Sequence, residues 1–224
     1  MNPSGRRLVT VLGLVGASLF CVSLVLVRYS ESGSTKFSGL IWNLALAWIP
    51  FLLAVWVYDR WRHHGSRGTL LGLGALWLLF FPNAPYIVTD FVHLERTSDA
   101  PYWYDAVTVS AFAWTGVLLG FASLFLMQTV VRQWRGSVAG WLFALVAIGL
   151  GSLGIYLGRF LRLNSWDALE HPSVIPRILH AVARDPFAYQ EAIAVTVLFT
   201  LSLTFAYFLL YSFAAVSLEL DAER

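Results

Sequence analysis

The stretch FPNAPYIVTDFVHLE, residues 81–95, closes an apolar run that begins after Arg67. That run is uninterrupted for only about 14 residues, or ~21 Å of helix, which is shorter than the ~30 Å hydrocarbon core of a bilayer. Pro82 and Pro85 remove amide donors and disfavour helix at the residues before them. We therefore predict a membrane span that kinks or unwinds, with Asn83 bonding a freed carbonyl group and the irregular backbone buried in protein or lining a wet cavity.

The composition is that of a membrane protein. Of the 224 residues, 58% are hydrophobic and 12% are charged, and 10 Trp and 16 Phe are present, which is too apolar for an ordinary soluble domain. A net charge of +2 gives no indication of nucleic acid binding. The single cysteine, Cys21, lies in an apolar run, excludes an intramolecular disulfide and is interpreted as a small buried hydrophobic residue.

The apolar segments predict a single all-α domain over residues 1–224, a polytopic bundle of about six transmembrane helices. Their lengths suit helices and not the alternating ten-residue strands of a membrane barrel. The first follows two arginines, as in a signal peptide, but it is long enough to span the bilayer and no small-x-small cleavage site follows it. We interpret it as an uncleaved span. The predicted spans are about 8–27, 39–58, 69–88, 105–131, 138–161 and 192–217.

Arginines sort among the connections and predict the orientation. The amino terminus and two connections are basic and are predicted to be cytoplasmic, together with the carboxyl terminus. They carry Arg6 and Arg7, then Arg60, Arg62 and Arg67, then Arg132 and Arg135. The connections 28–38, 89–104 and 162–191 are then expected outside. The last of these departs from the trend, because four arginines lie in it or just before it: Arg159, Arg162, Arg177 and Arg184.

Small residues form a seam along the fifth span. They recur at spacings of four and three residues, which allows another helix backbone to approach closely. The seam consists of Gly140, Ala144, Ala147, Gly151, Gly154 and Gly158. We expect it to pack against a similar face of the fourth span in an antiparallel hairpin, a face with Ala106, Ser110, Ala113, Gly116, Gly120 and Ser123.

Polar residues follow the break in the third span. If the segment is helical, Tyr86, Asp90 and His93 share one face, because they are four and three residues apart. Asp90 and His93 are the candidate catalytic residues, as a general base whose tautomer is fixed by the carboxylate. The same pair can be read as two metal ligands or as an ordinary surface loop, and no HExxH motif or histidine cluster accompanies it. We therefore assign no metal site and name no cofactor.

A second polar group follows the fifth span. Arg162 continues the small-residue seam, so we expect Arg159 or Arg162 to meet a carboxylate or an anionic ligand, the alternative being headgroup contact by snorkelling. Asp105 is interpreted as a helix N-cap or a buried counter-charge, and Asn164 or Ser165 as the cap of a short helix that begins near Asp167. The candidate ligand-binding residues are Asn83, Tyr86, Asp105, Arg159, Arg162, Asn164, Trp166 and Asp167.

An interfacial helix is predicted in the last outside connection. The segment SVIPRILHAVARD, residues 173–185, separates an apolar face from a basic one, as in helices that lie on a membrane surface. The apolar face has Ile175, Ile178, Leu179 and Val182, and the other carries Arg177, His180 and Arg184.

Several motifs resemble one protein family. They are LFFPNAPYIVTDFVHL, PYWYDAV, GFASLFLMQ and above all GIYLGRFLRLNSWDAL. The chain from about Gly72 to Ser217 is similar to a bacterial family of multi-pass integral membrane proteins that is described as a domain of unknown function. The resemblance implies a bacterial cytoplasmic membrane location, with the shared motifs in the connections predicted to lie outside. It implies no substrate, cofactor or catalytic residue.

Three functions fit these observations. The first is a polar site at the outer membrane interface that binds or processes an anionic lipid or lipid-linked substrate, with arginine on the anionic group and the Asp90–His93 pair as acid and base. The second is a structural or accessory subunit whose polar motifs lock the helices together. The third is a small transporter, which is disfavoured because neither an internal repeat nor a second broken span is evident. The lipid bilayer and an anionic headgroup are the partners these functions imply, and the oligomeric state is not predicted.

Overall fold

The computed structural model describes residues 3–95, 99–171, 173–185 and 189–222, and these residues form helices and connections without a β-strand. The helices are α1 (Pro3–Ser32), α2 (Ser38–Arg62), α3 (Arg67–Phe80), α4 (Asn83–Tyr86), a 3₁₀ helix (Ile87–His93), α5 (Tyr102–Arg135), α6 (Ser137–Phe160), α7 (Asp167–Glu170), α8 (Val174–Arg184) and α9 (Gln190–Ala222). The all-α prediction is confirmed.

Six segments among the described residues are long and apolar enough to cross a membrane, which confirms the predicted number of spans. They begin and end within a few residues of the predicted bounds, although the first continues as helix beyond Val27. The segments are Arg7–Ser32, Ser38–Arg62, Arg67–His93, Tyr102–Arg135, Ser137–Phe160 and Gln190–Ala214.

The third span breaks where the prolines predict. Helix α3 is 14 residues long and ends at Phe80, and a turn leads into the four-residue α4 and then the 3₁₀ helix. The side-chain amide of Asn83 donates a hydrogen bond to the carbonyl oxygen of Phe80 at 3.0 Å. The predicted structural role of Asn83 is therefore confirmed, because it bonds a carbonyl that the interrupted helix leaves without its usual donor.

The described residues divide into two compact units, one up to Val130 and one from Val131 onward. In unit 1, α2 packs against α3, α4 and the 3₁₀ helix. Two glycines of α5 receive the broken segment: a Cβ on Gly116 would lie 2.5 Å from the carbonyl oxygen of Ala84, and a Cβ on Gly120 would lie 3.2 Å from the Ala84 Cβ. The close approach at these two glycines is therefore to the broken third span, through the Ala84 carbonyl oxygen at Gly116 and the Ala84 and Pro85 side chains at Gly120.

In unit 2, α6 and α9 pack antiparallel. Tyr156 and Leu157 cluster with Ala192 near one end of the pair, and Trp141 contacts the ring of Tyr211 near the other. The first four members of the predicted seam, from Gly140 to Gly151, are buried, whereas Gly154 and Gly158 are only partly buried. The hairpin between the fourth and fifth spans stays a prediction.

The short helices after α6 lie where the sequence predicts them, but the N-cap position of the first is not a predicted one. Helix α7 begins at Asp167, and its N-cap position is Trp166, without a capping side chain. The Asn164 side chain does not accept at the helix end as predicted, because it donates to Asp167, and the predicted cap by Ser165 stays a prediction. Helix α8 forms as predicted, with Ile178 against the Tyr156 cluster. The side chains of Ile175, Leu179 and Val182 lie outside the described part.

Candidate functional site

The 3₁₀ helix sets the spacing of the candidate catalytic pair. In a 3₁₀ helix, residues three apart lie directly above one another, so Ile87, Asp90 and His93 form one ridge. Exposure rises along that ridge, since Ile87 is buried, Asp90 is 4% exposed and the His93 side chain is 57% exposed. Tyr86 starts the neighbouring ridge with Thr89, so the predicted common face of Tyr86, Asp90 and His93 holds only for the last two.

Asp90 is a buried carboxylate with two polar neighbours. The side-chain amide of Asn43, in α2, donates to Asp90 Oδ2 at 2.9 Å. His93 Nε2 lies 3.9 Å from the other oxygen, Oδ1. Burial makes an unassisted charge costly, and the Asn43 amide offsets part of that cost. The arrangement orients one carboxylate oxygen towards an imidazole whose side chain is 57% exposed.

Asp105 forms an ion pair with Arg28. The Arg28 Nε lies 2.7 Å from Asp105 Oδ1, and the two side chains are 1% and 0% exposed. A second guanidinium nitrogen, Nη2, donates to Oδ2 at 3.4 Å, and the guanidinium lies over the Phe37 ring at 5.0 Å. Of the two predicted roles for Asp105, the buried counter-charge is the one observed.

A further ion pair joins the α1–α2 connection to the segment that follows the 3₁₀ helix. Lys36 Nζ, in the α1–α2 connection, lies 2.8 Å from a carboxylate oxygen of Glu95. The hydrogen bond and the charge of Lys36 hold the pKa of Glu95 below its ordinary value. Leu94, between His93 and Glu95, packs against the hydrophobic core of unit 1. We call the end of unit 1 that holds Arg28, Asn43, Asp90, His93 and Asp105 the polar end.

The remaining predicted residues lie in unit 2. Arg159 is partly buried in the last turn of α6, and Arg162 is exposed with a backbone φ of 55°. The Asp167 carboxylate accepts from the Asn164 backbone N–H at 2.6 Å and from its side-chain amide at 3.2 Å. Trp166 is exposed beside this pair. The structure thus joins Asn164 to Asp167 and Asp90 to His93.

Two residues of the polar end were missed by sequence reasoning, Arg28 and Asn43. Arg28 follows an apolar run and was assigned to the connection 28–38, but α1 continues to Ser32 and carries it into the buried interior. Asn43 is an isolated amide within an apolar segment, a pattern that marks functional or interhelical contacts in membrane spans. Their partners lie far away in the chain, so neither pairing is visible as a local motif.

In the described part of the chain, Asp90 and His93 do not join a third His, Cys, Asp or Glu in a group that could hold a metal ion. With Asn43, which donates to Asp90, they form a polar group that runs from a buried carboxylate to an exposed imidazole. A carboxylate beside an imidazole can orient the ring and fix its tautomer.

One comparison with known proteins gives a match. A family model described as "Protein of unknown function (DUF1361)" matches residues 42–206, which include the broken third span and the segment from α5 to α8. No curated protein and no solved structure matches the chain. Of the polar residues described above, Asn43, Asp90, His93 and Asp105 lie inside the matched range, and Arg28 lies outside it.

Proposed function

The chain belongs to the DUF1361 family of proteins of unknown function, and we propose that its polar end transfers protons in a reaction on a lipid or lipid-linked substrate at the outer membrane interface. The observation that carries the proposal is the Asp90–His93 pair, in which a buried carboxylate held by Asn43 lies beside an exposed imidazole. Buried polar groups within membrane spans are costly, and they commonly mark functional sites.

The geometry assigns separate roles to the two residues. In the proposed reaction, His93 Nε2, which faces Asp90 Oδ1 at 3.9 Å, carries the proton on the side of the carboxylate, and Nδ1 is the basic atom. His93 then removes the proton of a hydroxyl group or water as that oxygen attacks, and returns it to the leaving group. Asp90 orients the ring and stabilises its cationic form. The 3.9 Å separation is longer than a hydrogen bond and must shorten when substrate binds.

The surroundings of His93 support a substrate that arrives through the membrane. Phe91 and Val92, which precede it on the 3₁₀ helix, are both exposed, and so are Tyr102 and Trp103 at the start of α5. Exposed apolar and aromatic side chains at the end of a span are typical of the boundary between acyl chains and headgroups. An imidazole placed beside them meets a lipid headgroup more readily than a dissolved metabolite.

An accessory function is the second candidate, and the Arg28–Asp105 pair favours it. The pair is almost completely buried and links α1 to α5, as expected of a contact that fixes the arrangement of helices. Transport has less support, because the other five described spans are continuous helices and broken-helix transporters usually interrupt a second one. The accessory function predicts that His93 can be replaced without chemical consequence.

A lipid-turnover assay separates the two candidates. Purified protein is incubated with the total lipid extract of a bacterial membrane, and lipid species are quantified by mass spectrometry against a protein-free sample. We expect wild-type protein to deplete one species and form another. His93→Gln should reduce that rate at least ~100-fold, the usual contribution of a general base.

The chain provides a matched control. His63 Nε2 lies 3.7 Å from Asp59 Oδ1, but both side chains are largely exposed. His63→Gln therefore removes an Asp–His pair that has no buried carboxylate, and it should retain wild-type turnover. Equal lipid profiles for wild type and His93→Gln would overturn the catalytic proposal and leave the accessory function.

A further inference from the structure

We propose that Arg162 binds the phosphate or carboxylate group of an anionic lipid at the end of α6. The site belongs to unit 2 and depends on none of the residues of the polar end, so it stands or falls separately from the proton-transfer proposal. Guanidinium groups bind phosphate and carboxylate through paired N–H donors, which gives the chemical class of the ligand.

The backbone at Arg162 has a conformation that arginine does not favour. Its φ is 55°, in the left-handed region where a Cβ is too close to the following carbonyl oxygen and glycine is preferred. The turn itself has a clear purpose. The N–H of Leu163 donates to the carbonyl oxygen of Leu157 at 3.1 Å, and the Leu163 side chain packs back against the Tyr156 cluster. Glycine would make this turn with less strain, so an arginine at this position carries a cost that the turn itself does not require.

The Arg162 side chain is exposed at the end of α6. Within the described residues it makes neither a hydrogen bond nor an ion pair. Asp167, which lies only five positions away in the chain, already accepts two hydrogen bonds from Asn164. Phe160 and Leu161, which precede Arg162, are exposed apolar residues at the end of a span. Such a position places the stem of the arginine against acyl chains and its charge at the level of the headgroups.

A second residue gives an internal comparison. His64 has a φ of 54° at the end of α2, and the N–H of Gly65 closes that helix end on the carbonyl oxygen of Arg60 at 2.8 Å. His64 and Arg162 therefore share a strained backbone at the end of a spanning helix. Replacing either residue by glycine should relieve the same kind of backbone strain, whereas only Arg162→Gly should remove a side chain that binds lipid.

The test measures stability and lipid binding in the same samples. Protein is reconstituted in phosphatidylcholine with or without phosphatidylglycerol, the melting temperature is recorded from tryptophan fluorescence, and bound phosphatidylglycerol is titrated by native mass spectrometry. Arg162→Gly and His64→Gly should each raise Tm in phosphatidylcholine by about 2 °C or more. Arg162→Gly alone should weaken phosphatidylglycerol binding, by about 10-fold or more, and Arg162→Lys should lose less.

Further arms identify the source of the anionic group. If phosphatidylglycerol stabilises wild-type protein and inorganic phosphate does not, the ligand is a lipid headgroup, as proposed. If inorganic phosphate raises the Tm of wild-type protein by the same amount, and Arg162→Gly removes that rise, the site binds the free anion. The assignment to lipid is then overturned. Unchanged phosphatidylglycerol affinity in Arg162→Gly would overturn the site itself, even if Tm rises as expected.

Discussion

At the scale of single residues, the stability of unit 1 is expected to depend on the buried ion pair of Arg28 and Asp105. Both charges are buried, and the Asp105 carboxylate accepts hydrogen bonds from two guanidinium nitrogens of Arg28. A buried pair of this kind is not strongly stabilising in itself, because desolvation cancels much of the attraction. Removal of one partner leaves the other charge buried and uncompensated, which is far more costly.

This asymmetry predicts the behaviour of Arg28 variants. Arg28→Met should lower the free energy of unfolding by about 3–5 kcal/mol, and the double variant Arg28→Met/Asp105→Leu should recover most of that loss. Equilibrium unfolding in mixed detergent micelles measures both. Arg7→Met is the control, since Arg7 is exposed and donates to the Tyr58 hydroxyl at 3.1 Å, and it should cost less than about 1 kcal/mol. A double variant as unstable as Arg28→Met would contradict the ion-pair interpretation.

The sequence predicts two possible roles for Asp105 but does not decide between them. An aspartate at the start of a span is equally compatible with a helix cap and with a buried counter-charge, because both need only one carboxylate at that position. The choice depends on Arg28, which lies 77 positions earlier and was assigned to a connection. Asp90 and His93 were easier to predict, since they are three residues apart and any tight helix brings them together.

At the scale of elements, the broken third span organises unit 1. Its short α4 places a backbone carbonyl against Gly116 in α5, and α2 packs along the other components of the span. The break was predictable because prolines act locally on their own backbone. Its packing partner was not, because small residues allow close approach to any neighbouring backbone and do not specify which one.

A pair of glycine variants tests this packing. Gly116→Ala should destabilise unit 1 by about 1–3 kcal/mol, because its Cβ would lie 2.5 Å from the Ala84 carbonyl oxygen and that backbone must shift. Gly72→Ala, in the exposed part of α3 with no atom within 4 Å of its Cβ, should instead stabilise the protein by about 0.5–1 kcal/mol. Equilibrium unfolding of the two variants provides the measurement. Equal changes in the free energy of unfolding would contradict the close packing of α4 against α5.

At the scale of the whole molecule, six apolar segments and the DUF1361 match make this a multi-pass membrane protein of unknown function. Composition and segment length predicted that class directly, because a bilayer requires long apolar helices. Orientation follows from the distribution of arginines and stays a prediction. The proposed lipid chemistry depends on it, since the polar end is expected to face outside.

Cysteine labelling tests the orientation. The native Cys21 is buried and free, so it should not react with a membrane-impermeant maleimide. Asp99→Cys should be labelled in intact cells from which the outer membrane barrier has been removed, whereas His63→Cys should be labelled only after the cytoplasmic membrane is permeabilised. The reverse pattern would place the polar end in the cytoplasm and contradict a reaction at the outer interface.

The central claim is that Asp90 and His93 act as one proton-transfer unit. The most direct test is the rate of lipid turnover in Asp90→Asn, His93→Gln and the double variant, measured under identical conditions. If the residues act together, each single change should reduce the rate at least ~100-fold, and the double variant should lose little more than His93→Gln alone. Losses that multiply in the double variant, or full turnover in either single variant, would contradict the claim.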